Sequence, residues 1–135
     1  MKNYHKIMPT IQQFVEQDAF AQHLGIELLE ASAGYAKVQL TINEKHLNAM
    51  HTAHGGVIFT LADVAFAIAA NAHGPVAMAI NVHISYIKAI TEGTLIAEAS
   101  ETSLNPKLAT YTVSVSNEQG ETIAIFQGMV YRKRA

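Results

Sequence analysis

The run from Gly55 to His73 limits what this chain can fold into more than any other segment. On a 3.6-residue period, Val57, Ile58, Phe59, Leu61, Val64, Phe66 and Ile68 point nearly all the way round, with alanines between them. A helix without a polar side has to be enclosed by other elements, and Gly74-Pro75 marks its stop. A membrane would also enclose it. The apolar stretch from Val57 to Ala72, however, falls short of the ~20 residues a span needs, and it contains Asp63. A helix of about residues 55–73 is therefore expected at the centre of a soluble fold.

The remaining segments read as its cover. Leu24 to Glu30 and Tyr35 to Ile42 are strand-like and joined by Ser32-Ala33-Gly34. In the second, Ala36, Val38, Leu40 and Ile42 alternate with Lys37, Gln39 and Thr41, as in a half-buried strand. After the helix, Ile80, Val82, Ile84 and Tyr86 are expected on one face, with Asn81, His83 and Ser85 on the other. Thr94 to Glu101, Ala109 to Ser116 and Glu121 to Tyr131 continue the pattern; Asn117-Glu118-Gln119-Gly120 makes the last two a hairpin. Pro9 followed by Thr10 to Gln22 predicts a short helix over about 9–22, with Ile11, Phe14, Val15 and Ala19 on its apolar stripe. Two strands, an all-apolar helix and four strands give an α+β order. An antiparallel sheet curled around the helix is the simplest arrangement that buries it. No repeat or linker divides the chain, so residues 1–135 are read as a single domain.

Composition narrows the function. Charged residues make up 15% of the 135, against about 25% in a typical domain, and hydrophobic ones 50%. A small domain this poor in charge is expected to hide surface against copies of itself. A net charge of -2 supplies no basic field for nucleic acid. With no cysteine there is no disulfide scaffold, thiolate metal site or cysteine nucleophile. No apolar segment follows Met1 to Lys6 as in a signal peptide, so a cytoplasmic location is expected. His46, His51 and His54 lie close together but match no recognised metal-ligand spacing, and no metal is expected. Serine-hydrolase, P-loop and dinucleotide fingerprints are absent. Arg132-Lys133-Arg134 reads as a solvated tail, with contact to ligand phosphates as the alternative.

The chemistry concentrates in Asn48 to Gly56, which leads straight into the helix carrying Asp63. The first N–H groups of a helix lack partners within it, and the helix dipole adds positive charge there. Gly55 and Gly56 either open that end to a carbonyl turning into an oxyanion or merely clear a neighbouring strand. Asp63, one of two aspartates, sits among Leu61, Ala62, Val64, Ala65 and Phe66. It is paired with a Lys or Arg from another strand, placed at the exposed end of a subunit contact, or held in an apolar cleft, where burial raises its pKa and suits it to act as a base. Gly55 and Asp63 are eight residues apart, ~12 Å along the axis. If both serve one reaction, the carboxylate has to come from a second copy. Two antiparallel helices would then make two sites by symmetry.

The run HGGVIFTLADVAFAIAAN, with Asn48 six residues before the His, an acid nine after it and the strands that follow, resembles the hotdog-fold acyl-CoA thioesterases of the phenylacetate-pathway (PaaI-like) type. The resemblance covers most of the chain, from Phe20 to Arg132. It implies a hotdog fold, dimers that pair into homotetramers, and hydrolysis of an acyl-CoA without cofactor or metal. It implies Asp63 as base or nucleophile, Gly55 N–H as oxyanion donor, and Gly56 beside the substrate. Asn48 would hold the thioester or the water, and His54 would support the turn and touch the carbonyl. Two positions depart from the family pattern. Ala79 stands where some relatives carry a water-orienting serine, and Tyr86-Ile87-Lys88-Ala89 lacks a proline common at the mouth of the CoA channel. The rival functions are a non-catalytic acyl-CoA-binding module and a hotdog enoyl-CoA hydratase.

Overall fold

The computed structural model describes residues 11–133. A helix α1 occupies residues 11–16, and α2 occupies Ala19–Leu24. Strands β1 (Glu27–Ser32) and β2 (Tyr35–Thr41), a 3-10 turn (Glu44–His46) and the long helix α3 (Gly55–Asn71) follow. Strands β3 (Ala77–Tyr86), β4 (Thr94–Leu104), β5 (Leu108–Ser116) and β6 (Thr122–Arg132) complete the chain. All six strands form one antiparallel sheet in the order β1-β2-β4-β5-β6-β3. It curls round α3, which packs chiefly on β2, β4 and β5. This is the expected α+β architecture, a hotdog fold with the helix as filling.

Alternation decides which residues meet the helix. Val38, Leu40, Leu95, Ala97, Val113, Val115 and Phe126 are buried along the inner face against Leu61, Ala65, Phe66 and Ile68. Small residues are needed where the helix lies closest. A Cβ on Gly128 would fall 2.6 Å from the Phe66 ring, which packs at a tilt against Phe126 and edge-on against Tyr111, with centroids 5.3 and 5.7 Å away.

Four sequence expectations are corrected. The helix expected over about 9–22 is two short helices, and its expected start at Pro9 and Thr10 lies outside the described residues. Asp18 takes an extended backbone and accepts a hydrogen bond from Ala21 N at 3.0 Å, so it caps α2 instead of continuing α1. Ile11 and Val15 reach the core, whereas Phe14 and Ala19 do not. The next strand starts later than expected because Leu24 ends α2 and Gly25, at φ 84°, turns the chain. In β3 the alternation holds for Val82, Ile84 and Tyr86, opposite Gly128, Phe126 and Ala124. Ile80 is the extra residue of a bulge between Ala79 and Asn81, and leaves that face. The central helix ends two residues early because the Asn71 side chain binds Ala67 O, Ala77 O and Ala77 N, tying the helix end to β3. Among the described residues, no helix is long and apolar enough to cross a membrane.

The two sheet edges are unlike. β1 is six residues long, carries Glu27 and Glu30 and is bulged, all of which discourage further pairing. β3 has ten residues and no acid, lysine, arginine or proline, and it leaves Met78 63% and Ile80 58% exposed.

Candidate active site

The segment before α3 is built by its own polar side chains. Asn48 Oδ1 accepts from Met50 N at 2.9 Å and Thr52 N at 3.1 Å, and its Nδ2 donates to Thr52 Oγ1 at 2.9 Å. Asn48 thus braces the tight 48–52 loop, in which His51 adopts a left-handed φ of 62°. His46, fully buried, accepts from Asn43 N at Nδ1 (2.9 Å), and its Nε2 meets Leu24 O at 2.8 Å. Both ring nitrogens are therefore engaged in joining α2 to the 3-10 turn, and His46 is not free to ligate. No group of three or more metal-ligating side chains occurs among the described residues.

His54 is the N-cap of α3 and uses both its carbonyl and its ring. Its carbonyl accepts from Val57 N at 2.9 Å and Ile58 N at 3.1 Å, while Nδ1 accepts from Gly56 N at 2.8 Å. Three of the four first-turn N–H groups are thereby satisfied. The fourth, on Gly55, has no protein partner among the described residues. A helix of 17 residues thus begins with one free donor where its dipole is most positive. Gly56 is exposed but its N–H is taken, so it offers a ligand close approach, not a hydrogen bond.

Beside this donor lies a cleft of about 240 Å³ lined by Thr52, Gly55, Ile58, Tyr86, Ile87 and Lys88, among others. Tyr86, at the end of β3, donates its hydroxyl to Gly55 O at 3.0 Å. Lys88 is ion-paired with Glu121. The family resemblance put Tyr86 to Ala89 at the mouth of a channel, but composition and spacing give Tyr86 and Lys88 no site role, because only the sheet brings the end of β3 beside the start of α3.

Asp63 lies elsewhere. It is half-buried, on the stripe of α3 with Gly56, Thr60, Ala67 and Asn71 that the chain's own sheet leaves partly open. The ion pairs among the described residues are Lys37–Glu30, His73–Glu101 and Lys88–Glu121, and Asp63 has no cation partner among those residues. Burial pushes its pKa above the ordinary carboxylate value, and the negative charge of Asp18 pushes it further in the same direction. Asp18 gives no sequence signal of this, since α2 folds back onto α3 only through core packing. The structure therefore joins Asn48, His54, Gly55 and Gly56 at one helix end, and it leaves Asp63 two turns along the same helix, ~12 Å away by helix rise.

Residues 50–124 match the family described as the thioesterase superfamily. A protein of Archaeoglobus fulgidus named "Putative esterase" is 48% identical over 87% of this chain and 77% of its own length. The acyl-coenzyme A thioesterase PaaI of Escherichia coli K12 is 34% identical over 95% of this chain and 92% of its own. The solved structure of the E. coli PaaI protein from the phenylacetic acid degradation operon has a TM-score of 0.93 to this chain at 32% identity. That match covers 98% of this chain and 97% of the other. A match over more than half the chain, relatives along nearly its whole length and the same six strands around one helix agree: the chain belongs to the thioesterase superfamily, as a PaaI-like thioester hydrolase of the hotdog fold.

Proposed function

We propose that this protein is an acyl-CoA thioesterase that converts an acyl-CoA to the free acid and CoA, at sites shared between two copies of the chain. The observation that carries the reading is the unpartnered Gly55 N–H at the positive end of a 17-residue helix, opening on a cleft. A donor fixed there stabilises negative charge as it develops on the thioester oxygen. Asp63 of the partner subunit supplies the other half. It acts as a general base, or attacks the carbonyl carbon itself, expelling the CoA sulfur and leaving an acyl anhydride on Asp63 that water hydrolyses to the acid. In the first route it takes a proton from water as the water oxygen bonds to that carbon. The C–S bond then breaks, and the sulfur leaves as the CoA thiol with that proton. Ala79 carries no hydroxyl, so no serine at that position orients the water. Neither cofactor nor metal enters the reaction.

The sharing is supported by the ~12 Å between Gly55 and Asp63 on one helix. The edge of β3, free of acids, lysine and arginine, supports it too, since a strand of ten residues with unpaired backbone groups and exposed Met78 and Ile80 is a ready template for a second β3. An antiparallel β3–β3 junction would bring the two α3 helices side by side, each Asp63 towards the other's Gly55. We place the protein in the cytoplasm as a dimer that pairs into a homotetramer, without nucleic-acid or membrane partners. The relative named acyl-coenzyme A thioesterase supports CoA as the carrier.

The test is a panel of acyl-CoAs of varied chain length and aromatic character, with released thiol and acid measured after exhaustive chelation. Free CoA and acid in equal amounts are expected. Binding without turnover would indicate an acyl-CoA-binding module, and a hydroxyacyl-CoA product a hydratase; either would overturn the reading.

A further inference from the structure

At the start of α3 the Gly55–Gly56 peptide is held from both sides. Its carbonyl accepts the Tyr86 hydroxyl at 3.0 Å, and its N–H donates to His54 Nδ1 at 2.8 Å. Tyr86 Oη–H, the peptide and His54 Nδ1 therefore form one head-to-tail chain, in which each hydrogen bond polarises the next. The Tyr86 ring is seated against Gly55, with Cζ and Oη 3.4 Å from where a Cβ would stand. Backbone bonds on both sides fix Tyr86 itself: it pairs with Ala124, and Ile87 N donates to Ile123 O at 2.8 Å.

The chain has a consequence for the imidazole. A neutral histidine that accepts at Nδ1 carries its proton on Nε2. His54 is exposed, and it precedes the free Gly55 N–H by one residue. We propose that Tyr86 is a positioning residue which, through the Gly55–Gly56 peptide, holds His54 as the Nε2–H tautomer, making His54 a second donor to the thioester oxygen beside the Gly55 N–H. The proposal rests on the thioesterase reading above and adds to it a residue that acts through the Gly55–Gly56 peptide. Without the hydroxyl, the peptide N–H is a weaker donor and the ring is freer to turn or to exchange tautomers.

Tyr86→Phe keeps the ring against Gly55 and removes only the hydroxyl. With the acyl-CoA that the wild type turns over fastest, kcat should fall about 5-fold, the equivalent of one net hydrogen bond, with KM within about two-fold. In the His54→Ala background the same change should cost nothing further, because the two residues act through one route. Nitrogen-15 NMR of the His54 ring, identified by its loss in His54→Ala, should show the Nε2–H tautomer in the wild type and a shift towards the tautomer average in Tyr86→Phe. Equal losses in both backgrounds would overturn the inference, as would wild-type kcat and unchanged His54 nitrogen shifts in Tyr86→Phe. Failure of the underlying reading is a separate result, a wild-type protein that releases no CoA.

Discussion

Asp63 carries the residue-scale predictions. Asp63→Asn should lower kcat by ~10²-fold or more with the fold intact, since a positioned base is worth about 10²–10⁴; circular dichroism and steady-state kinetics check it. Because burial and Asp18 both raise the Asp63 pKa, the acid limb of kcat/KM should lie above the ordinary aspartate value. Asp18→Asn, which keeps a good helix cap, should move that limb to lower pH. Stability runs the other way from activity. A carboxylate whose folded pKa is raised imposes no penalty below its unfolded pKa, and the penalty grows as pH rises through the folded value. Asp63→Asn should therefore melt above the wild type at neutral pH and level with it in acid, which calorimetry across that range would show. The sequence marked Asp63 as unusual through its apolar neighbours. Its lack of a cation partner among the described residues and the influence of Asp18 depend on residues far along the chain, so no local pattern records them.

At the scale of elements, two glycines that look alike in sequence have opposite roles. A Cβ on Gly128 would overlap the Phe66 ring at 2.6 Å in the packed interior between α3 and β6. Gly128→Ala should cost about 1–3 kcal/mol, the usual range for overpacking, read as a lower denaturation midpoint. A Cβ on Gly55 would meet Tyr86 only at ordinary contact, 3.4 Å, and alanine suits a helix better than glycine. Gly55→Ala should leave the midpoint level or slightly raised while kcat falls, because the methyl enters the cleft beside the free N–H. The presence and place of β2, α3 and the β5–β6 hairpin were legible from alternation, helical period and turn residues, though the end of α3 was not. The break at Asp18 and the bulge at Ile80 were not. An N-cap aspartate and a helix-interior one are the same letter, and a bulge changes which face follows without changing the apolar count.

For the whole molecule, the prediction is that activity needs two chains. Asp63→Ala and a variant damaged at the other half-site, Asn48→Ala with His54→Ala, should each be nearly inactive. A mixed dimer would hold one site with both defects and one with neither. Refolding or co-expressing equal amounts should restore up to about a quarter of wild-type activity under random pairing. No recovery, with mixed dimers verified by mass spectrometry, would mean that each chain builds its own site.

Sequence alone determined that an all-apolar helix lies under a curled antiparallel sheet, because periodicity and burial are properties of neighbours along the chain. It also determined that Gly55 and Asp63 stand ~12 Å apart, since helix rise is fixed. Tertiary structure decided what those residues meet. It brought Tyr86 onto the Gly55 carbonyl, left the Gly55 N–H as the free donor of the first turn, set Asp18 near Asp63, and left β3 an open edge while β1 is guarded. Each of these depends on where distant segments come to lie, and that is fixed by the packing of the whole core.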